Sequence, residues 1–177
     1  MPDRLKTVIL PLLTLIDVIT EQILAFDKEI DQLADSKYPE SFALCQIHGV
    51  GALTSLTFVL TLEDKHRFRK SRDAGCFLGL QPRRSQSGRS DPQLGITKAG
   101  DGYLRTLLVQ CAHHILGPFG PPSALQLWGR KLAERGGKNG RRRAVVAVAR
   151  KLAVPLHRLW VSQDTYEPMR GALAAAA

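Results

Sequence analysis

Ser85 and Ser87, set among Arg83, Arg84, Arg89 and Lys98, are the residues of this 177-residue sequence whose types and spacing suit covalent chemistry. A serine hydroxyl is a weak nucleophile until a base or a strong local field activates it. The electrophile suited to it here is a phosphodiester already clamped by arginines. Guanidinium forks take phosphate oxygens in pairs, whereas Lys98 would act as a point charge. Composition alone favours a blander role, a solvated loop or one that holds a nucleic-acid backbone without chemistry, because Ser and Gly are what loops are made of.

The segment that carries these residues, Gly79 to Asp101, reads GLQPRRSQSGRSDPQLGITKAGD and holds four glycines, two prolines and three serines. Gly and Pro punctuate it, and its backbone would be hard to bury with every polar group satisfied. It exceeds the usual length of an unstructured connection inside a compact domain, so it reads as a functional loop that the surrounding helices hold.

Those helices are legible from their apolar spacing. After the loop, Asp101 can cap a helix over Gly102 to Leu116, with Leu104, Leu107, Leu108, Cys111 and Ile115 on one face and Arg105 one turn inside. His113 and His114 are neighbours that point in different directions, so they are read as structural and not as a metal pair. Before the loop, LCQIHGVGALTSL resembles a helix-hairpin-helix turn, in which Gly49 and Gly51 allow a tight turn and present backbone N–H groups to a phosphate. A purely structural turn fits the same residues equally well, and His48 within it reads as a surface or phosphate-side residue. The helix from Ala52 to about Leu62 follows, then the basic run Arg67 to Arg72 and a short helix, Ala74 to Leu78. Past the break GPFGPP, one helix carries Leu125, Leu127, Trp128 and Leu132. The cluster KNGRRR, with Arg141, Arg142 and Arg143, opens a last helix over Ala144 to Trp160, where Pro155 is expected to cause a kink. That cluster reads as a phosphate-binding knuckle or, equally, as a solvated basic turn. The tail, residues 168–177, is expected to be disordered.

The first forty residues have a different character. Leu5, Ile9, Leu12, Ile16, Ile19, Ile23, Phe26, Ile30 and Leu33 alternate steps of three and four, the seam of a coiled coil. Pro11 places the expected start of that helix near itself. An ordinary amphipathic helix has the same spacing, but four heptads favour contact with another chain. No apolar run is expected to reach a membrane span, since Val8 to Leu15 is short and followed by Asp17 and Glu21. The domain is thus expected to be all-α, with a coiled-coil-type helix over 1–40 and a compact helical domain over 41–167.

Charge divides the chain in the same way. Met1 to Asp64 holds ten acidic and four basic residues, a net −6, whereas the remainder holds six acidic and twenty-one basic, a net +15. A polyanionic partner is therefore expected for the second part only. With hydrophobic content of 44% and mean hydropathy of −0.10, the sequence is that of a globular protein. Cys45, Cys76 and Cys111 are isolated and without a CxxC, fitting reduced thiols and a cytoplasmic location.

In order along the chain, IHGVGALTSLTFVLTLED, FRKSRDAGCFLGLQPR, SQSG, GITKAGDGYLRTLLVQCAHH and RRRAVVAVARKLAVPLHRLW resemble the C-terminal half of insertion-sequence transposases of the DEDD-plus-serine class, the IS-one-ten group. The resemblance covers roughly residues 44–167, and a coiled-coil helix precedes this part in the family too. It implies that Ser87, or less favourably Ser85, attacks a DNA phosphodiester and is held as a phosphoserine link during strand exchange. Arg83, Arg84 and Lys98 would neutralise the phosphates around it. It also implies DNA as a partner and a structured guide RNA that pairs with donor and target. Family members begin with a RuvC-like domain whose four acids bind magnesium, and this domain is expected to be missing here. No metal site or cofactor is then expected in this chain, and magnesium only with the acidic domain. The expected activity is a transposase that needs a partner's acidic domain, its first helix joining copies of itself or an intact transposase, with no membrane. The alternative is a nucleic-acid-binding module or regulator without chemistry.

Overall fold

The computed structural model describes residues 3–90, 94–118 and 120–170. Among them the chain forms seven α-helices and no strand, and it divides into two units, Met1–Pro39 and Glu40–Ala177. The all-helical expectation holds.

Unit 1 is the helix α1, Asp3–Lys37. It runs straight through Pro11, which corrects the expected start: eight residues into a helix, proline withholds one ladder N–H, and the Val, Ile and Leu residues around it keep the helix going. Its seam residues Leu12, Ile16, Ile23 and Phe26 are more than half exposed, and so are Val8, Leu10, Leu15 and Leu24, which lie off the seam. The stretch is also long and apolar enough to cross a membrane, with a mean hydropathy of 1.9 over its most apolar window. This corrects the reading that no run reaches that length, because Asp17 and Glu21 interrupt the run without lowering its mean enough.

Unit 2 is built around its last helix. A 3₁₀ turn, Pro39–Ser41, leads into α2 (Phe42–Cys45), α3 (Ala52–Leu62) and α4 (Arg72–Phe77). After the long loop come α5 (Gly102–Leu116), α6 (Ala124–Arg135), a second 3₁₀ turn (Gly137–Asn139) and α7 (Gly140–Ser162). α7 packs on α2, α4, α5 and α6. Its stripe Val145, Val148, Ala149, Leu152, Leu156 and Leu159 is buried as its spacing requires, and α5 buries the face read from its sequence. Asp101 caps α5, accepting a hydrogen bond from the Leu104 N–H at 2.6 Å, and Ser123 caps α6 through the Gln126 N–H at 3.1 Å. α6 meets α7 at Gly129, where even a methyl group would come within 2.5 Å of Val148 Cγ2. α7 is continuous through Pro155 and begins at Gly140, so Arg141, Arg142 and Arg143 lie inside its first turn rather than ahead of it. Residues 168–170 form a turn, and the rest of the tail lies outside the described residues.

Candidate nucleic-acid interface and nucleophile

The Arg/Ser segment is a finger rather than an unstructured loop. It leaves α4 through Leu78 and Leu80, both buried, and its two arms pair as an antiparallel hairpin. The Arg83 N–H donates to the Gly95 carbonyl at 2.8 Å, Thr97 to Gln81 at 3.0 Å and Lys98 to Gly79 at 3.1 Å. Gly79, at φ +67°, is required at the base, since a Cβ there would run into the Ala99 backbone. At the tip, Ser87 and Ser90 exchange backbone hydrogen bonds at 3.0 Å around Gly88 and Arg89, and Gly88 has φ +57° at the position where two-residue turns take glycine.

This geometry puts Ser87 at the rim of the tip with its backbone fixed from both sides. Its hydroxyl has no hydrogen-bond partner among the described residues, and it is exposed together with Ser85, Arg83, Arg84 and Arg89. No acidic side chain pairs with these arginines among the described residues. Lys98, with φ +58°, sits at the base, at the opposite end of the finger from Ser87. Arg105 also belongs to the base: its Nη1 donates to the carbonyls of Leu78 at 3.1 Å and Ala99 at 3.3 Å, tying the two ends of the finger to α5. A guanidinium committed to two carbonyls positions the finger, whatever else its remaining N–H groups reach.

The other cationic and glycine positions stand on separate elements. Arg141, Arg142 and Arg143 are exposed in the first turn of α7, whose capping residue Asn139 makes no side-chain hydrogen bond to it. Cations at that end oppose the helix dipole, so they are placed against the interest of the fold. Gly49, at φ +90°, makes the turn between α2 and α3, and Gly51 is the capping position of α3 with open space beside its Cα. The aromatic of the basic run, Phe68, packs on Phe77 and on His157 at ring distances of 5.5 and 5.6 Å, so it serves the core. No three His, Cys, Asp or Glu side chains come together among the described residues, so these residues do not fit the magnesium site that the resemblance assigns to an acidic domain.

Two pairings were invisible in the sequence because their members are far apart along it. His48 and His114 bring their Nε2 atoms to 3.1 Å, so one must carry the proton and the other accept it. The two histidines lie 66 residues apart in the sequence, and both are exposed. Lys151 Nζ lies 4.1 Å from the centre of the Trp128 ring, which is itself 36% exposed.

Comparison with known proteins shows what this chain is similar to in sequence. The chain is 40% identical over 121 residues to the transposase for insertion sequence element IS1111A of Coxiella burnetii, covering 68% of this chain and 32% of that protein. It is 39% identical over 93 residues to the transposase for insertion sequence element IS1328 of Yersinia enterocolitica, covering 52% of this chain and 27% of that one. The chain thus spans about a third or less of the length of these curated relatives. The profile described as "Transposase IS116/IS110/IS902 family" matches residues 42–127, so the chain is similar to that family over a segment that runs from the first residue of α2 through the Ser87 finger and into α6.

Proposed function

We propose that this chain is the serine-bearing helical part of a transposase, which holds DNA on its basic unit and offers Ser87 as the nucleophile toward a phosphodiester. The carrying observation is the finger tip, where Ser87 is held by the two-residue turn in the same exposed segment as Arg83, Arg84 and Arg89. In the reaction, Ser87 Oγ bonds to phosphorus as the bond from phosphorus to one sugar oxygen breaks, and the serine proton passes, by way of a base that this reading assigns to a partner domain, to that oxygen, which leaves as a hydroxyl. The arginines stabilise the charge that builds on the non-bridging oxygens. Lys98, Gly49, Gly51 and the Arg141 to Arg143 cluster extend the contact with the backbone, the glycines by letting a phosphate approach the start of α3. Arg105 acts chiefly through the finger. A structured RNA is the further partner this reading assigns to the same basic surface. α1, with its exposed apolar seam, is the self-association element, joining copies of this chain or an intact transposase.

A second reading rests on a specific observation. The Ser87 hydroxyl has no hydrogen-bond partner among the described residues, as a nucleic-acid-binding module or regulator without chemistry would have it. A covalent-trapping assay separates the two. The protein is incubated with Mg²⁺, RNA and labelled element-end DNA, with a full-length relative whose own serine is replaced by alanine. An adduct on this chain that vanishes in Ser87→Ala supports the nucleophile. Salt-sensitive binding with no adduct leaves the binding module.

A further inference from the structure

A cavity of about 640 Å³ opens between α6, α7 and the segment after α7. That volume falls in the range of sites that hold small organic molecules, and it is far larger than any packing defect. Its floor is apolar, formed by Leu125, Val154, Pro155 and Leu159, and its walls carry two aromatic rings, Trp128 and Tyr166. Its charged groups are Lys131, Lys151, Arg158 and Arg170 against Glu167, an excess of three cations.

The wall opposite α6 is fastened rather than loose. The Tyr166 N–H donates to Gln46 Oε1 at 2.8 Å, Gln46 Nε2 to the Asp164 carbonyl at 3.3 Å, and the Ala124 N–H to the Pro168 carbonyl at 2.8 Å. Three hydrogen bonds therefore hold the cavity open in its observed form. On the α7 side the cavity is lined by Lys151, Val154, Pro155 and Arg158. Lys151 itself rests on the face of Trp128, where burial lowers the affinity of its amine for a proton. An ammonium in that position gains from a nearby anion.

An aromatic ring, an apolar floor and a ring of cations are what a nucleotide needs: a base that stacks and a phosphate that pairs. We infer that this cavity takes one unpaired nucleotide of a nucleic-acid strand, its base replacing Lys151 on the face of Trp128 as that lysine moves, with Arg158, onto the phosphate. The site is separate from the finger, and it rests on the nucleic-acid reading above. A duplex keeps its bases stacked and cannot enter, so the cavity would distinguish strands with flipped or unpaired residues from plain duplex.

The protein contains two tryptophans, and Trp160 is buried, so contact quenching by a bound strand falls on Trp128 and is read against the Trp128→Phe protein, which keeps only the Trp160 emission. The probes are a single-stranded oligonucleotide, a blunt duplex of the same length and adenosine monophosphate. The single strand is expected to quench Trp128 and to bind more tightly than the duplex. Trp128→Ala should weaken single-strand binding about ten-fold or more and leave duplex binding unchanged, with Trp128→Phe recovering most of the loss. Quenching that is equal for duplex and single strand overturns the inference. Adenosine monophosphate that binds as tightly as the strand overturns it also, in favour of a free mononucleotide ligand. Duplex binding without any unpaired-base preference removes the cavity alone, whereas failure of both nucleic acids to bind removes the broader reading with it.

Discussion

Replacing Arg141, Arg142 and Arg143 together by alanine separates what these residues cost the fold from what they are for. They occupy the first turn of α7, where unpaired N–H groups already make the end positive and Asn139 supplies no side-chain cap. Each exposed cation there costs about 0.3 kcal/mol, at the low end because solvent screens it. The triple variant is therefore expected to be more stable than the parent by about 1 kcal/mol, measured by urea unfolding at low salt. If each arginine neutralises one phosphate, removing three lowers the slope of log affinity against log salt by about 2.7. Over a four-fold rise in salt the parent would then lose about 40-fold more affinity than the variant, readable by fluorescence anisotropy with duplex DNA. A variant that is more stable but binds DNA with an unchanged slope would refute the assignment and leave a solvated basic turn. A less stable variant would refute the electrostatic argument itself.

Arg105→Ala should cost about 2 kcal/mol by removing the charged donor to the Leu78 and Ala99 carbonyls, and should expose the finger to protease while changing the salt slope by less than one contact. Gly79→Ala, which needs φ +67° and meets the Ala99 backbone, is expected to cost at least ~2 kcal/mol in a denaturant titration. His157 is buried on α7, its Nδ1 3.1 Å from Ser71 Oγ, and burial holds its pKa below the ordinary value of 6.5 despite a partial offset from the Lys65 backbone and with a further push down from His66. The unfolded chain then binds the proton first on acidification, so stability is full above the ordinary histidine range and falls as pH drops through 6.5 toward the lower folded value. Unfolding free energies measured from pH 8 to pH 5 should show this loss, and His157→Gln should flatten it.

The helices of unit 2 were legible because their apolar residues recur at helical spacing over ten or more residues: the α5 and α7 stripes and the Asp101 cap fall where the sequence places them. The start of α1 was not, because proline is a strong local signal that a long apolar helix overrides at the cost of one hydrogen bond. The finger was legible as a special segment but not as a hairpin. Its pairing uses only a few backbone bonds between arms that lack alternating apolar residues, so no period-two pattern marks it. Lys98 was grouped with Ser87 by charge and proximity in sequence, whereas the hairpin register puts it at the base. The Trp128 and Lys151 contact lies between two helices and depends on how they pack, which no local pattern encodes.

The account turns on one atom, Ser87 Oγ. Trypsin cuts after Arg84 and Arg89, so a covalent protein–DNA adduct, digested with nuclease and trypsin, would carry its nucleotide on the five-residue peptide SQSGR. Fragmentation by mass spectrometry then distinguishes Ser85 from Ser87. The expected result is a phosphonucleotide on Ser87, absent from the Ser87→Ala protein and retained in Ser85→Ala. A nucleotide on Ser85, or an adduct that persists without Ser87, would contradict the assignment of the nucleophile.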